Sequence, residues 1–156
     1  MDVFDILLRL GSATLIGGAI GLNRDLHGKP TGVRTLGIVC LGSALIVMAS
    51  HGFRVIEAHD WDPISRTIQG LITGIGFLGA GVILRNGQSN EVQGLTTAAC
   101  IWLTACLGVV CGIAAWPALV VAVPLVFLLL TLGGPLERHV QRRWSGHGER
   151  PGDKGS

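Results

Sequence analysis

"LTTAACIWLTACLGVVCGIAAWPALVVAVPLVFLLLTL", residues 95 to 132, decides the fold class, because it contains no Asp, Glu, Lys or Arg. A helix that crosses the ~30 Å hydrocarbon core of a bilayer needs about 20 mostly apolar residues, and this stretch is long enough for two. Three apolar stretches precede it. The sequence therefore predicts an all-α, polytopic membrane bundle with five transmembrane helices: Phe4–Leu22, Val33–Gly52, Ser65–Leu84, Leu95–Ala114 and Pro117–Leu132.

The composition excludes an ordinary soluble domain. The chain is 49% hydrophobic and 14% charged, whereas soluble domains are about 25% charged. Lipid leaves only helices or closed barrels, and the apolar runs lack the alternation of barrel strands. A cleaved signal peptide would begin with basic residues, but Asp2 and Asp5 occupy that position.

The distribution of Lys and Arg predicts the orientation in the membrane. Nine of the twelve fall on the side that holds the C-terminus, and three fall on the other. By the positive-inside rule the N-terminus lies outside and the C-terminus in the cytoplasm. The nine are Arg24, Lys29, Arg34, Arg85, Arg138, Arg142, Arg143, Arg150 and Lys154, and the three are Arg9, Arg54 and Arg66.

Two regions follow from this reading. Residues 1–135 form a five-span transmembrane domain, and residues 136–156 form a cytoplasmic basic juxtamembrane helix with a disordered tail. Leu136, Val140 and Trp144 recur every fourth residue beyond the last span, which is typical of a short helix on the cytoplasmic leaflet. From Ser145 onward the chain is polar and rich in glycine.

The third span contains Gly74-Ile-Gly76-Phe-Leu-Gly79, which matches the glycine spacing of a dinucleotide-binding loop. That loop needs a preceding strand and a long following helix, and neither fits here. Small residues four apart instead allow close packing of membrane helices, as in Gly70 with Gly74 and Gly17 with Gly21. The glycines predict a central, tightly packed third span. The alternative is a helix broken near the midplane, with its backbone exposed to an ion.

Two longer segments carry a resemblance to a known family. "DPISRTIQGLITGIGFLGAGVILRNG" (62–87), followed by "VQGLTTAACIWLTACLGVVCGIA" (92–114), is similar to the signature of the MgtC/SapB family of bacterial inner-membrane proteins. "IGLNRDLHGKPTGVRTLGIVCLGSAL" (20–45) resembles the other hallmark of that family. The resemblance implies a multi-pass inner-membrane protein with its N-terminus outside, and a short form without the cytoplasmic ACT-like domain of longer members. It also implies a role in magnesium-limited growth, acid tolerance and virulence, and regulation of the ATP synthase in one branch.

The same resemblance supplies the candidate functional residues. Asn23 stands where the family has Glu, and Gln93 stands where a basic residue precedes Gly-Leu-Thr-Thr, so both departures are neutral amides that we expect to face each other. The positions that match the first hallmark are Arg24, Asp25, Arg34 and Thr35, and those that match the second include Asp62, Arg66, Gly70, Gly74, Gly76, Gly79, Gly81, Gly94, Thr96, Thr97 and Trp102.

Each polar candidate also has a purely structural interpretation. Arg24, Asp25 and Arg34 fit ordinary anchoring at the cytoplasmic rim, and Asp62 with Arg66 fits a pair at a helix start. Thr96 and Thr97 fit capping or packing of the fourth span, or a hydrogen bond to another helix. In the first span, Asp5 and Arg9 fit an i,i+4 pair near the outer interface, whose arginine reaches toward water. The acidic connection Glu57–Asp62 fits a solvated loop, or a vestibule that concentrates magnesium.

No catalytic constellation, metal site or cofactor motif is predicted, and Cys40, Cys100, Cys106 and Cys111 are interpreted as packing residues. Two functions remain. One is a regulatory or interaction protein in magnesium or pH homeostasis, with the lipid bilayer, a second copy and a membrane protein as partners, no nucleic acid, and an indirect link to Mg²⁺. The alternative is an ion or small-solute carrier or channel, such as a magnesium transporter, that uses the Gly-rich third span.

Overall fold

The computed structural model describes residues 1–57, 61–85 and 92–145, except for the side chains of 84, 85, 92 and 135–145. Five helices account for most of this chain, and a pair of two-residue antiparallel strands joins the third helix to the fourth. The elements are α1 (Val3–Leu26), α2 (Val33–Ser50), α3 (Trp61–Val82), β1 (Leu84–Arg85), β2 (Val92–Gln93), α4 (Leu95–Gly112) and α5 (Trp116–Ser145). In the strands Leu84 pairs with Gln93 and Arg85 pairs with Val92.

The predicted all-α membrane fold with five helices is confirmed. Among the described residues, four stretches are long and apolar enough to cross a membrane: α1, α2, α4 and the part of α5 from Trp116 to Gly134. Although α3 has 22 residues, it falls short of the same hydropathy, because Arg66 and Gln69 lie in its first half and five glycines follow. Four helices begin and end within a few residues of the predicted spans, and α5 continues beyond the predicted end.

The chain divides into a unit of residues 1–120 and a unit of residues 121–156. In the first unit α2 and α4 each contact all the other helices among α1 to α4, and α4 is the most buried of them. The prediction of a central α3 is wrong. Among its described residues α3 buries only Ile64, Ile75 and Gly79, and its large side chains Phe77 and Leu78 are exposed. By contrast α4 buries Thr97, Cys100, Ile101, Thr104, Ala105, Leu107, Gly108, Val109, Cys111 and Gly112.

Glycines bring α1, α2 and α4 into direct backbone contact. A Cβ on Gly17 of α1 would lie 2.6 Å from the Leu36 carbonyl oxygen of α2, and a Cβ on Gly21 would lie 2.6 Å from the Val33 nitrogen. These contacts confirm the predicted packing of the Gly17 and Gly21 pair. A Cβ on Gly112 of α4 would lie 2.8 Å from the Ala44 carbonyl oxygen, so α4 meets α2 in the same way.

The glycines of α3 have a different environment. The helix is continuous from Trp61 to Val82, so it is not broken at its glycines. A Cβ added at four of the five would meet no described atom within 4 Å, and one added at Gly79 would make an ordinary 3.6 Å contact with the Ala98 Cβ. The prediction that these glycines pack tightly against neighbouring helices is therefore wrong within the described chain. The four open positions are Gly70, Gly74, Gly76 and Gly81.

The second unit begins within α5. This helix runs to Ser145 through Gly133 and Pro135, so the helix predicted from Leu136 is a continuation of α5. The predicted domain boundary at residue 135 stays a prediction. The predicted disordered tail runs from Ser145 to Ser156; Ser145 is the last residue of α5, and the rest of the tail lies outside the described residues.

Candidate functional site

A buried arginine joins the end of α1 to the start of α4. Arg24 lies in the last turn of α1 and is 3% exposed. Its Nη2 donates to the Thr97 hydroxyl oxygen of α4 at 2.7 Å and to the Pro30 carbonyl oxygen at 2.8 Å. Its Nε donates to the same carbonyl at 3.1 Å, and its Nη1 donates to the Cys100 sulfur at 3.3 Å. Arg24 and Thr97, one from each hallmark segment, therefore form one site.

All three acceptors of Arg24, which share its four hydrogen bonds, are neutral. Within the described part of the chain no carboxylate forms an ion pair with this guanidinium. Removing an ion from water costs several kcal/mol unless its surroundings replace the water. Here the hydrogen bonds do so, together with the negative end of the α1 dipole, since Arg24 lies in the last turn of that helix.

Asp25 directs its side chain to the start of α2 instead. Its Oδ2 accepts a hydrogen bond from the Val33 backbone N–H at 3.0 Å. The carboxylate also contacts Gly32 so closely that a Cβ there would overlap it. Successive residues thus connect α1 to two different helices, Arg24 to α4 and Asp25 to α2.

Gly94 sets the position from which α4 begins. Its φ of 91° is left-handed, and a Cβ there would overlap the Val82 carbonyl oxygen. Gly94 is the N-cap, and it offers no side chain for capping. The capping interpretation of Thr97 is wrong, because its hydroxyl accepts from Arg24 and the residue is 5% exposed. Thr96, one residue earlier, is exposed.

A second feature is an apolar groove between α3 and α4, with a volume of about 460 Å³. Three predicted residues line it, Gly76 and Gly79 from α3 and Trp102 from α4. On α4, Thr97 contacts Arg24 while the following two alanines line the groove, so one helix serves both features. The full lining is Ile75, Gly76, Gly79, Ala80, Ile83, Ala98, Ala99 and Trp102.

The remaining predicted site residues do not contact Arg24. Arg34 and Thr35 are exposed at the start of α2. Asp62 and Arg66 form an exposed pair at the start of α3, with Nε 3.1 Å from Oδ2, as the helix-start interpretation predicts. Exposed pairs of this kind stabilise a protein by about 0–1 kcal/mol. Gly70, Gly74 and Gly81 lie in open positions along α3.

A second buried arginine lies near the other end of α1. Arg9 pairs with Asp5 at 3.1 Å, which confirms the predicted i,i+4 pair. However, Arg9 is 7% exposed and does not reach toward water, because its Nη1 donates to the Gly112 carbonyl oxygen at 2.7 Å. That carbonyl ends α4, where the helix dipole favours a cation.

Several of these partners were not identified from the sequence. Gly108 and Gly112 are four residues apart, the same signal as Gly17 and Gly21, and could have been found. Neither the Pro30 carbonyl nor Cys100 carries a recognisable pattern, because a backbone oxygen has no sequence signature and a thiol in a span resembles any small residue.

Two expectations stay predictions. One is that Asn23 and Gln93 face each other. The other concerns the acidic connection from Glu57 to Asp62, because residues 58–60 lie outside the described chain. Among the described residues, no cluster of three or more His, Cys, Asp or Glu side chains is arranged to hold a metal ion.

Long apolar helices and arginines buried within their bundle define a polytopic membrane protein. The family model described as MgtC matches residues 10–139. The chain belongs to the MgtC family.

Three bacterial relatives illustrate the range of similarity. The chain is 43% identical over 145 residues to protein SrpB of Synechococcus elongatus, covering 85% of this chain and 76% of SrpB. It is 43% identical over 112 residues to YhiD of Escherichia coli K12, described as a candidate magnesium transporter, covering 69% and 51%. It is 38% identical over 113 residues to protein MgtC of Salmonella typhimurium 14028s, covering 72% and 46%. The chain thus spans about half the length of YhiD and MgtC, and no solved structure matches it.

Proposed function

We propose that this protein is a regulatory protein of the bacterial inner membrane that acts in magnesium or pH homeostasis by binding another membrane protein. The link to magnesium rests on the relative YhiD, described as a candidate magnesium transporter. The observation that carries the regulatory role is the open glycine face of α3, which adjoins the apolar groove against α4.

The packing of α1, α2 and α4 argues against a path for Mg²⁺ between these three helices. Their backbones touch at Gly17, Gly21, Gly108 and Gly112, and cationic Arg9 and Arg24 are buried near the two ends of α1. At 5 Å and an effective dielectric constant of about 20, the Arg24 charge, which has no carboxylate partner among the described residues, repels a divalent cation by about 7 kcal/mol. A path between these helices would therefore need an anion beside Arg24, as Asp5 lies beside Arg9.

The face of α3 has the properties of a helix-binding surface. Gly70, Gly74 and Gly81 lie within about 40° on a helical wheel, and none meets a described atom within 4 Å. Small residues allow a second helix to approach closely in lipid, where close contact drives association. A helix of a partner protein or of a second copy fits this surface, and a homodimer through it is part of the proposal.

Liposomes with a magnesium-sensitive dye inside test the function directly. We expect purified, folded protein to give no more Mg²⁺ uptake than protein-free liposomes. Uptake that Gly74→Leu abolishes and Gly42→Leu preserves would overturn the regulatory role and support the carrier. Gly42 of α2 is a matched control, because a Cβ there also meets nothing within 4 Å.

The same pair of variants tests partner binding in cells. In a strain from which this protein's own gene is deleted, we expect cells that produce Gly74→Leu to lose growth in low magnesium. Cells that produce Gly42→Leu at an equal protein level should keep it. Growth that is insensitive to Gly74→Leu would contradict the role of α3 as the binding face.

A further inference from the structure

One line of exposed residues runs along most of α3. Its members are alternately four and three residues apart, which is the spacing at which two helices meet in a left-handed pair. Every member is polar or small, and every member is exposed. We call this line the polar seam, and it consists of Asp62, Arg66, Gln69, Thr73, Gly76 and Ala80.

The polar seam collects most of the polar side chains of α3. Six residues of this helix carry a charge, an amide or a hydroxyl, and all of them except Thr67 lie within about 100° on a helical wheel. With 22 residues α3 is long enough to cross a membrane. Charged and amide groups are unfavourable against lipid, so the seam needs to face either another protein surface or water.

The charges of the seam complement themselves across a two-fold axis. Arg66 and Asp62 are 77% and 76% exposed, and Arg66 leans toward the start of α3, with its Nε 3.1 Å from the Asp62 Oδ2. Two copies that insert in the same orientation are related by an axis along the membrane normal, so the same residues lie at the same depth. Each Asp62 would then lie between its own Arg66 and the Arg66 of the second copy.

Farther along α3 the seam offers an amide and then small residues. Within the described chain the Gln69 side chain makes one long hydrogen bond, 3.4 Å from its Nε2 to the Ser65 hydroxyl oxygen, so its amide oxygen is open to a donor. Two such amides at one depth can donate to each other, as polar side chains do between membrane helices. Gly76 and Ala80, which also line the groove, let two backbones approach closely.

We propose that the polar seam is the contact between two copies of this chain, which pair through α3 as parallel, left-handed helices. This inference deepens the proposed function, on which it rests, because it centres the homodimer on the seam beside the open glycine face. Gly74 and Gly81 lie about 110° around α3 from the centre of the seam. These two positions therefore stay open to another membrane protein.

Single cysteines on α3 test the contact in native membranes, in a chain whose own four cysteines are replaced by alanine. Under copper phenanthroline, we expect Gln69→Cys, Thr73→Cys and Gly76→Cys to form disulfide-linked dimers. Gly74→Cys lies on the glycine face, and Leu78→Cys lies at an exposed position on the opposite side of α3. These two controls should give roughly fivefold less dimer, because disulfides need Cα atoms about 4.4–6.8 Å apart.

The scan separates the possible surfaces. Dimers that form mainly from Gly74→Cys would place the second copy on the glycine face, which overturns the seam and leaves the proposed function intact. Dimers from none of the five variants would also overturn it. Seam cysteines that stay monomeric and react with a membrane-impermeant maleimide would overturn it in favour of a water-filled path. Magnesium uptake by liposomes would contradict the proposed function and leave the seam cross-links unchanged.

Mixed charge variants test the pairing in a chain that keeps its own cysteines. Asp62→Arg places two positive charges on each seam, and Arg66→Asp places two negative charges. Both variants lose the pair within α3, so only contact between two chains restores opposite charges. By energy transfer in liposomes, we expect the mixed pair to have an apparent dissociation constant about tenfold lower than either variant has with itself. Equal dissociation constants for the three pairs would overturn the proposed contact.

Discussion

Arg24 and Thr97 show what the sequence can establish about single residues. The resemblance placed both among the candidates, and their types, a cation and a hydroxyl at the edges of apolar runs, made a polar role reasonable. That they touch depends on how α1 packs against α4, and residues 73 positions apart carry no local pattern for such a contact. Arg24 is buried and has no carboxylate partner in the described part of the chain, which also contradicts the plain anchoring interpretation.

Removing the Thr97 hydroxyl should destabilise the protein. Thr97→Val keeps the shape but removes the acceptor of Arg24 Nη2, and hydrogen bonds to charged groups contribute about 1.5–3 kcal/mol. We expect a loss of that size in the free energy of unfolding in detergent. Thr96→Val, at the exposed neighbouring position, should change it by less than about 0.5 kcal/mol. Equal effects of the two variants would show that the Arg24 contact contributes little.

Gly94 should tolerate no side chain. Its left-handed φ and its contact with the Val82 carbonyl both oppose a Cβ, and a strained backbone alone costs about 1–3 kcal/mol. Gly94→Ala should therefore lower the melting temperature clearly. Gly81→Ala, in the open part of α3, should leave it unchanged or raise it, because Ala favours helix over Gly by about 1 kcal/mol. A neutral Gly94→Ala would contradict the described start of α4.

At the scale of the helices, the sequence predicted the existence and limits of the spans better than their neighbours. Length and hydropathy identify a membrane helix from its own residues, so α1, α2 and α4 were found with nearly correct ends. Which glycine face is covered depends on the partner helix. The same spacing in α1 and α3 therefore led to one correct prediction, at Gly17 and Gly21, and one wrong prediction, at Gly70 and Gly74.

Alanine substitutions distinguish covered from open glycines. Gly17→Ala places a methyl group 2.6 Å from α2 backbone, and overpacking of this kind costs about 1–3 kcal/mol. We expect that loss in unfolding free energy for Gly17→Ala, and none for Gly74→Ala. If Gly74→Ala were the more damaging of the two in monodisperse monomer, the assignment of covered and open faces would be reversed.

For the molecule as a whole, orientation is the main untested prediction. Nine Lys and Arg on one side against three on the other predict an outside N-terminus and a cytoplasmic C-terminus. A green fluorescent protein fused after Ser156 should fluoresce, because it folds in the cytoplasm and not after export through the general secretory route. Alkaline phosphatase fused before Met1 should be active. The opposite pattern would invert the topology.

The two arginines of α1 have a consequence for how this protein can change shape. Arg9 fastens one end of α1 to α4, and Arg24 fastens the other, about 22 Å apart at 1.5 Å per residue. Sliding or tilting α1 would break both attachments together and leave the buried Arg24 guanidinium without its Thr97 and Cys100 acceptors. Within residues 1–120, any rearrangement on signalling timescales should therefore leave α1, α2 and α4 as a rigid body and rotate α3, whose glycines allow a neighbouring helix to move past without steric obstruction.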